Sequence, residues 1–142
     1  MYFDLDTITT LDPEFVPAFE HAGIFLSVVN EDKQGARLLL EKGVRVHPER
    51  WRLHAYLAYH YQFEINEPDL AAKQYLAGST LAGAPPLLGM LAARLLTRTQ
   101  SIQSSIELLE NLKRTATDPT AKKRFQDRID LWKKKQAEAG HE

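Results

Sequence analysis

The chain has 142 residues, 44% of them hydrophobic and 26% charged, the length and mixture of a single globular unit with a real core, which excludes wholesale disorder. It has no cysteine, so disulfides, thiolate metal sites and cysteine nucleophiles are excluded, and apolar runs as short as Leu38-Leu39-Leu40 cannot span a bilayer. The formal net charge of −1 gives no general pull toward nucleic acid, but it averages a gradient: residues 1–32 hold seven acids and no Lys or Arg, hence −7, and residues 113–135 hold nine bases against three acids, hence +6.

In chain order, residues 3–11 (Phe3, Leu5, Ile8, Leu11) read as a short helix closed by Asp12-Pro13. The acidic start lacks the basic and apolar stretches of a secretion signal. Four prolines then punctuate the chain, Pro13, Pro48, Pro85 and Pro119, at separations of 35, 37 and 34 residues. A proline pushes the residue before it out of the α region and cannot continue a helix, so each marks a stop and a restart. Between them the apolar spacing is helical: Phe15, Phe19, Ala22 and Leu26 in the first interval, Leu53, Tyr56, Leu57 and Tyr61 in the second. Polar breaks at Asn30-Glu31-Asp32, Asn66 to Asp69 and Thr99-Gln100-Ser101 divide each interval, Asn and Ser being good helix N-caps. The spacing therefore predicts helices over 14–29, 32–46, 50–65, 69–81, 86–99, 102–116 and 120–138, with no strand. In the last of these Phe125, Ile129 and Trp132 share one face and Lys and Arg the other, as in a capping helix.

A period near 35 residues, together with Phe19, Ala22-Gly23, Leu26, Ala36, Leu40, Gly43 and Pro48 in the first unit, Leu57-Ala58, Tyr61, Ala71/Ala72, Tyr75 and Pro85 in the second, and Leu91-Ala92, Leu95, Ser105, Leu109 and Pro119 in the third, resembles the tetratricopeptide repeat, in a degenerate form closest to bacterial members. The resemblance implies an all-α fold in one domain, 1–142: a right-handed α-α superhelix of about three hairpins (14–48, 49–85, 86–119), with a partial N-terminal helix and a capping helix over 120–138. It also implies that residues 3–11 are the second helix of a preceding repeat, so truncation of a longer protein is expected. The compartment expected is cytoplasmic, or membrane-associated if an anchor lies upstream.

Catalytic and metal chemistry find little support in the residues. His54 and His60 stand six apart, about 240° around a helix, too far round for one ion. His21 sits mid-helix, His47 precedes a proline, and His141 lies in the tail. Nucleophile-elbow, phosphate-loop and metalloprotease motifs are missing, Gly78-Ser79-Thr80 has no following Lys, and Asp118, Asp127 and Asp130 stand among bases as surface pairs. The expectation is a protein that is not an enzyme and takes no cofactor or metal.

In the resembling family the first helix of each hairpin lines the concave side. Carried over, that implies a groove of Glu20, Ile24, Ser27 and Val28, then Arg52, Ala55, Tyr59, Gln62 and Phe63, then Ala93, Leu96 and Thr97 with Arg94 and Arg98 close by. Ser27, Arg52, Tyr59, Gln62, Phe63 and Arg94 are the candidate partner-binding residues. Tyr56 and Tyr61 are expected in the core, Trp51 over the turn after Pro48, and Trp132 sealing the last hairpin. The strip is apolar and aromatic, so the expected function is an adaptor presenting a groove to a peptide or amphipathic helix of another protein in a larger assembly. The alternative uses the charged ends, with Lys133, Lys134 and Lys135 drawing the acidic end of another copy into a homo-oligomer or resting on an anionic membrane surface. Nucleic acid is disfavoured, because the bases cluster at one end instead of running along the groove.

Overall fold

Prolines and caps set the helix starts. Pro17, Pro68, Pro86 and Pro119 occupy first-turn positions, where the missing N–H is no loss and the fixed φ suits a helix. Side chains of Asp32, Ser101 and Asp118 accept hydrogen bonds from the backbone N–H groups of Gly35, Ser104, and Thr120 with Ala121. The N-cap of the break at 30–32 is thus Asp32 and not Asn30. Asn66 does not cap a helix start: it closes the preceding helix in the left-handed region at φ 63°, which Asn tolerates better than most residues.

The computed structural model describes residues 1–140; His141 lies outside them. Among the described residues there are eight α-helices and no strand: α1 (Tyr2–Leu11), α2 (Val16–Val28), α3 (Lys33–Val46), α4 (Trp51–His60), α5 (Pro68–Ser79), α6 (Pro86–Thr99), α7 (Ile102–Thr115) and α8 (Pro119–Ala139). Helix α4 runs on into a single π-helical turn, Tyr61–Ile65. All eight expected segments are helical, with ends shifted by one or two residues and the 50–65 segment split between α and π geometry.

Each helix packs mainly on the next in the chain, with further contacts one step on, α1 to α3, α2 to α4 and α6 to α8. Three apolar clusters follow that order: Phe19, Ala22, Leu26, Ala36, Leu39 and Leu53; then Leu40, Leu57, Ala58, Tyr61, Ala71, Ala72, Tyr75, Leu88, Ala92 and Leu95; then Ala93, Ile106, Leu109, Leu112, Ala121, Phe125, Ile129 and Trp132. Trp132 is in the core as expected. Phe15 is not part of the α2 stripe: it is the residue before the helix and is exposed, and Val16 is buried instead. Trp51, half-buried, also lies beside the turn at Gly83, between α5 and α6, where a Cβ would stand 3.8 Å from its Nε1.

Three buried histidines fasten successive segments. The Nε2 atoms of His47, His54 and His60 lie 2.6, 2.9 and 2.8 Å from the carbonyl oxygens of Pro13, Pro48 and Lys33. A carbonyl only accepts, so Nε2 donates in each case. These rings are structural ties, which accounts for them without ligand chemistry.

Candidate functional site

An open groove of about 500 Å³ runs between α2 and α4. Helix α2 supplies Gly23, Ile24, Ser27 and Val28, and α4 supplies Ala55, Tyr56, Tyr59 and His60; Leu40 and Tyr75 line it from behind, with Glu64 at one end. These residues sit at helical spacings of three and four, so each helix turns one stripe into the gap. Gly23 lets α3 come close, since a Cβ there would stand 2.6 Å from the Leu40 side chain. Ile24, Val28 and Tyr59 are 48%, 70% and 56% exposed, a large apolar exposure for one place. The Tyr59 ring meets Phe63 at 4.6 Å between centroids. In the wall, the Ser27 hydroxyl is buried, out of reach of solvent, with no hydrogen-bond partner among the described residues.

Of the residues expected from sequence, Ser27 and Tyr59 fall in this groove, joined by Ile24, Val28 and Ala55. Arg52 is exposed and lies over the Trp51 ring instead, 5.5 Å from its centroid. Gln62 is half-buried and accepts a hydrogen bond from the Tyr75 hydroxyl, and Phe63 is exposed outside the lining and reaches it only through Tyr59. Ala93 is a correction: it is wholly buried, and its carbonyl accepts from Ser105 Oγ where α6 and α7 press together. Tyr56 is a second one, half-buried on the groove wall and not sealed in the core, while Tyr61 is buried. The backing residues Leu40 and Tyr75 lie on the second helices of their pairs, which a reading of first helices alone passes over.

Arg94 belongs to a separate cleft of about 450 Å³ between α6 and α8, where Arg94, Arg98, Arg128 and Lys135 converge around Trp132 with no acid among the lining residues. The lysine run points three ways. Lys133 reaches back to Glu110 at 3.2 Å, Lys134 is exposed, and Lys135 borders the α6–α8 cleft.

Beside the groove a charged network braces α3 against α4. The Tyr61 hydroxyl donates to Glu41 Oε1 at 2.5 Å and Arg37 Nε donates to the same oxygen at 2.8 Å. Burial opposes ionisation of Glu41, but the bonds from Tyr61 and Arg37 and the charges of Arg37 and Arg45 outweigh it and hold the carboxyl below its ordinary value. Its support for the fold is complete above the ordinary carboxylate range and is lost as pH falls through the lowered value. Burial first, then the bond to Glu41 and its charge, pushes Tyr61 up to about 12 from the ordinary 10.0. The folded value lies above the unfolded one, so this contribution is whole below pH 10.0 and is lost as pH rises toward about 12. Burial also raises Tyr75. Thermal melts across that alkaline range should show the melting temperature falling, and Tyr61→Phe should flatten part of the fall; an unchanged slope would mean that the phenol is not held neutral by the fold.

Among the described residues no three His, Asp or Glu side chains gather as metal ligands would, and no helix is long and apolar enough to cross a membrane. Compared with known proteins, the chain matches no family model, no curated protein and no solved structure.

Proposed function

We propose that this protein is a non-enzymatic binding module, a tetratricopeptide-like α-α stack whose α2–α4 groove takes apolar side chains from a peptide or helix of another protein within a larger assembly. The observation that carries the reading is an open trough lined by Ile24, Val28, Ala55, Tyr56 and Tyr59, most of them apolar and three of them about half exposed or more. Apolar exposure in a concave site gives affinity, and the i, i+3 and i+4 spacing of the lining gives register. The chain-ordered packing of the helices and the 35-residue proline spacing support the stacked architecture.

Selection from a displayed random-peptide library tests it. Enriched peptides should share apolar residues at spacings of three or four, and Tyr59→Ala should weaken a synthesised winner at least about tenfold, near 1.4 kcal/mol. Because Tyr59 is 56% exposed, the same change should alter stability by less than about 1 kcal/mol. A selection that yields no peptide sensitive to Tyr59→Ala sinks the reading, and large thermal destabilisation would place the ring in the core.

A second reading, self-association through the charged ends, is favoured by the four unpaired bases of the α6–α8 cleft, which have no acid within 4.0 Å among the described residues. Salt-sensitive oligomers in sedimentation, abolished by Lys135→Glu, would support it, and a salt-insensitive monomer would remove it.

A further inference from the structure

We propose that the face formed by α1 and α2, on the side away from α4, binds a basic amphipathic helix supplied by another protein. It is a different surface from the α2–α4 groove, although Ile24 and Val28 border both.

The first ground is the composition of α2. Of its thirteen residues only Glu20, His21 and Ser27 carry polar side chains. A helix apolar on nearly every side is normally buried on nearly every side. Here one side packs on α3 and α4, and the other is open, with Phe25 43% and Val29 59% exposed. Across from them, Ile8 of α1 and Phe15 before α2 are 43% and 47% exposed. Together these residues line a trough of about 600 Å³ in which His21 is the only polar side chain. At 1.5 Å per residue the trough runs about 20 Å along α2, enough for a partner helix of three to four turns. The opposite end is built differently: α8 buries Phe125, Ile129 and Trp132 and turns Lys122, Lys123, Lys134 and other polar side chains outward.

The second ground is charge. Asp4 faces the terminal amine, Asp6 holds Lys42 at 2.6 Å, and Asp32 caps α3. Asp12, Glu14, Glu20 and Glu31 have no cation within 4.0 Å among the described residues, and no Lys or Arg occurs before Lys33. These four acids stand within three residues in the chain of trough-lining Phe15, His21 and Val29, so the apolar trough is flanked in sequence by unpaired negative charge, complementary to an apolar stripe flanked by Lys and Arg. A second copy docked by two-fold symmetry would set these acids against one another, and an anionic bilayer would be repelled. The chain's own basic helix, α8, has already buried its apolar face.

The test is a selection from a displayed library of helix-forming peptides. Expected winners carry apolar residues at i, i+3, i+4 and i+7 between Lys and Arg flanks and bind more weakly as salt rises. Phe25→Glu with Val29→Glu, both at exposed positions, should lower the affinity of a synthesised winner at least about tenfold and leave the far-ultraviolet circular dichroism unchanged. Asp12→Lys with Glu14→Lys should move the selection toward acidic flanks, and Tyr59→Ala should leave it unchanged. A selection returning no peptide weakened by the Phe25 and Val29 changes overturns the proposal, as do winners without basic flanks, a dimer of the free chain that those changes dissolve, or their loss of binding to phosphatidylserine vesicles. Peptides sensitive only to Tyr59→Ala would overturn this proposal and leave the groove standing; peptides sensitive only to the Phe25 and Val29 changes would do the reverse.

Discussion

Replacing Phe19 with alanine is expected to destabilise the protein by about 3–5 kcal/mol, the range for emptying a buried aromatic site. Phe19 is wholly inaccessible and sits in the cluster that joins α2, α3 and α4. Its neighbours leave the ring little freedom. The His47 imidazole meets it edge-on at 5.8 Å, and Gly43 lies so close that a Cβ there would stand 3.1 Å from the Phe19 Cβ. His47 is itself tied to Pro13 and cannot readily collapse into the hole. Since a small domain holds about 5–15 kcal/mol in all, the loss is a large share of the total. Urea melts with an unchanged m-value and a markedly lower midpoint are the expected outcome. A loss under about 1 kcal/mol would show that the cluster relaxes around the gap.

Gly23→Val is expected to cost about 1–3 kcal/mol by overpacking, more than Gly23→Ala. A Cβ at this position meets Leu40 Cγ and both Leu40 methyls at 2.6 to 2.8 Å, so the whole branched head of Leu40 must move, and Leu40 is 2% exposed. Against the clash stands the gain in helix propensity on replacing glycine, about 1 kcal/mol for alanine and less for β-branched valine. Alanine should therefore fall near neutral or below it, and valine clearly below. Gly23 also lines the α2–α4 groove, so valine narrows it and peptide affinity should fall with stability. A valine variant that melts no lower than the parent would show the α2–α3 crossing to be looser than its geometry.

Much of the fold could be read from punctuation and period. Proline cannot continue a helix, so Pro48, Pro85 and Pro119 located the turns, and the stripe through Phe19, Ala22 and Leu26 located the buried side of α2. Phe15 broke that stripe because it precedes the first helical turn, where the 100° advance per residue does not yet apply. Ala93, carried over onto the groove strip, is instead buried, and its small side chain lets α7 approach closely enough for Ser105 to reach its carbonyl. At the site, Ile24, Ser27, Val28, Ala55 and Tyr59, which the repeat resemblance put on one strip, all line the gap between α2 and α4, where regular α geometry holds. Gln62 and Phe63 lie past His60 in the π turn, where each residue advances less around the axis, so a stripe extrapolated from α4 leaves them outside the lining. Tyr75 and Leu40 approach the groove from other helices, and that proximity has no signature in local sequence.

The histidine ties divide the molecule unequally. His47, His54 and His60 all donate to carbonyls within residues 13–48, so the first four helices share histidine fasteners that α6, α7 and α8 do not have. Opening any one of those ties in water exposes a ring that must find a new acceptor, so fraying there is coupled across neighbouring segments. Helix α6 belongs to both halves, since its Leu88, Ala92 and Leu95 pack with Leu57 and Tyr75, whereas α7 and α8 pack mainly around Trp132 and are tied by Lys113 to Gln126 and by Lys133 to Glu110. Amide protons of α2 to α4 should therefore exchange as one cooperative block, and those of α7 and α8 as another.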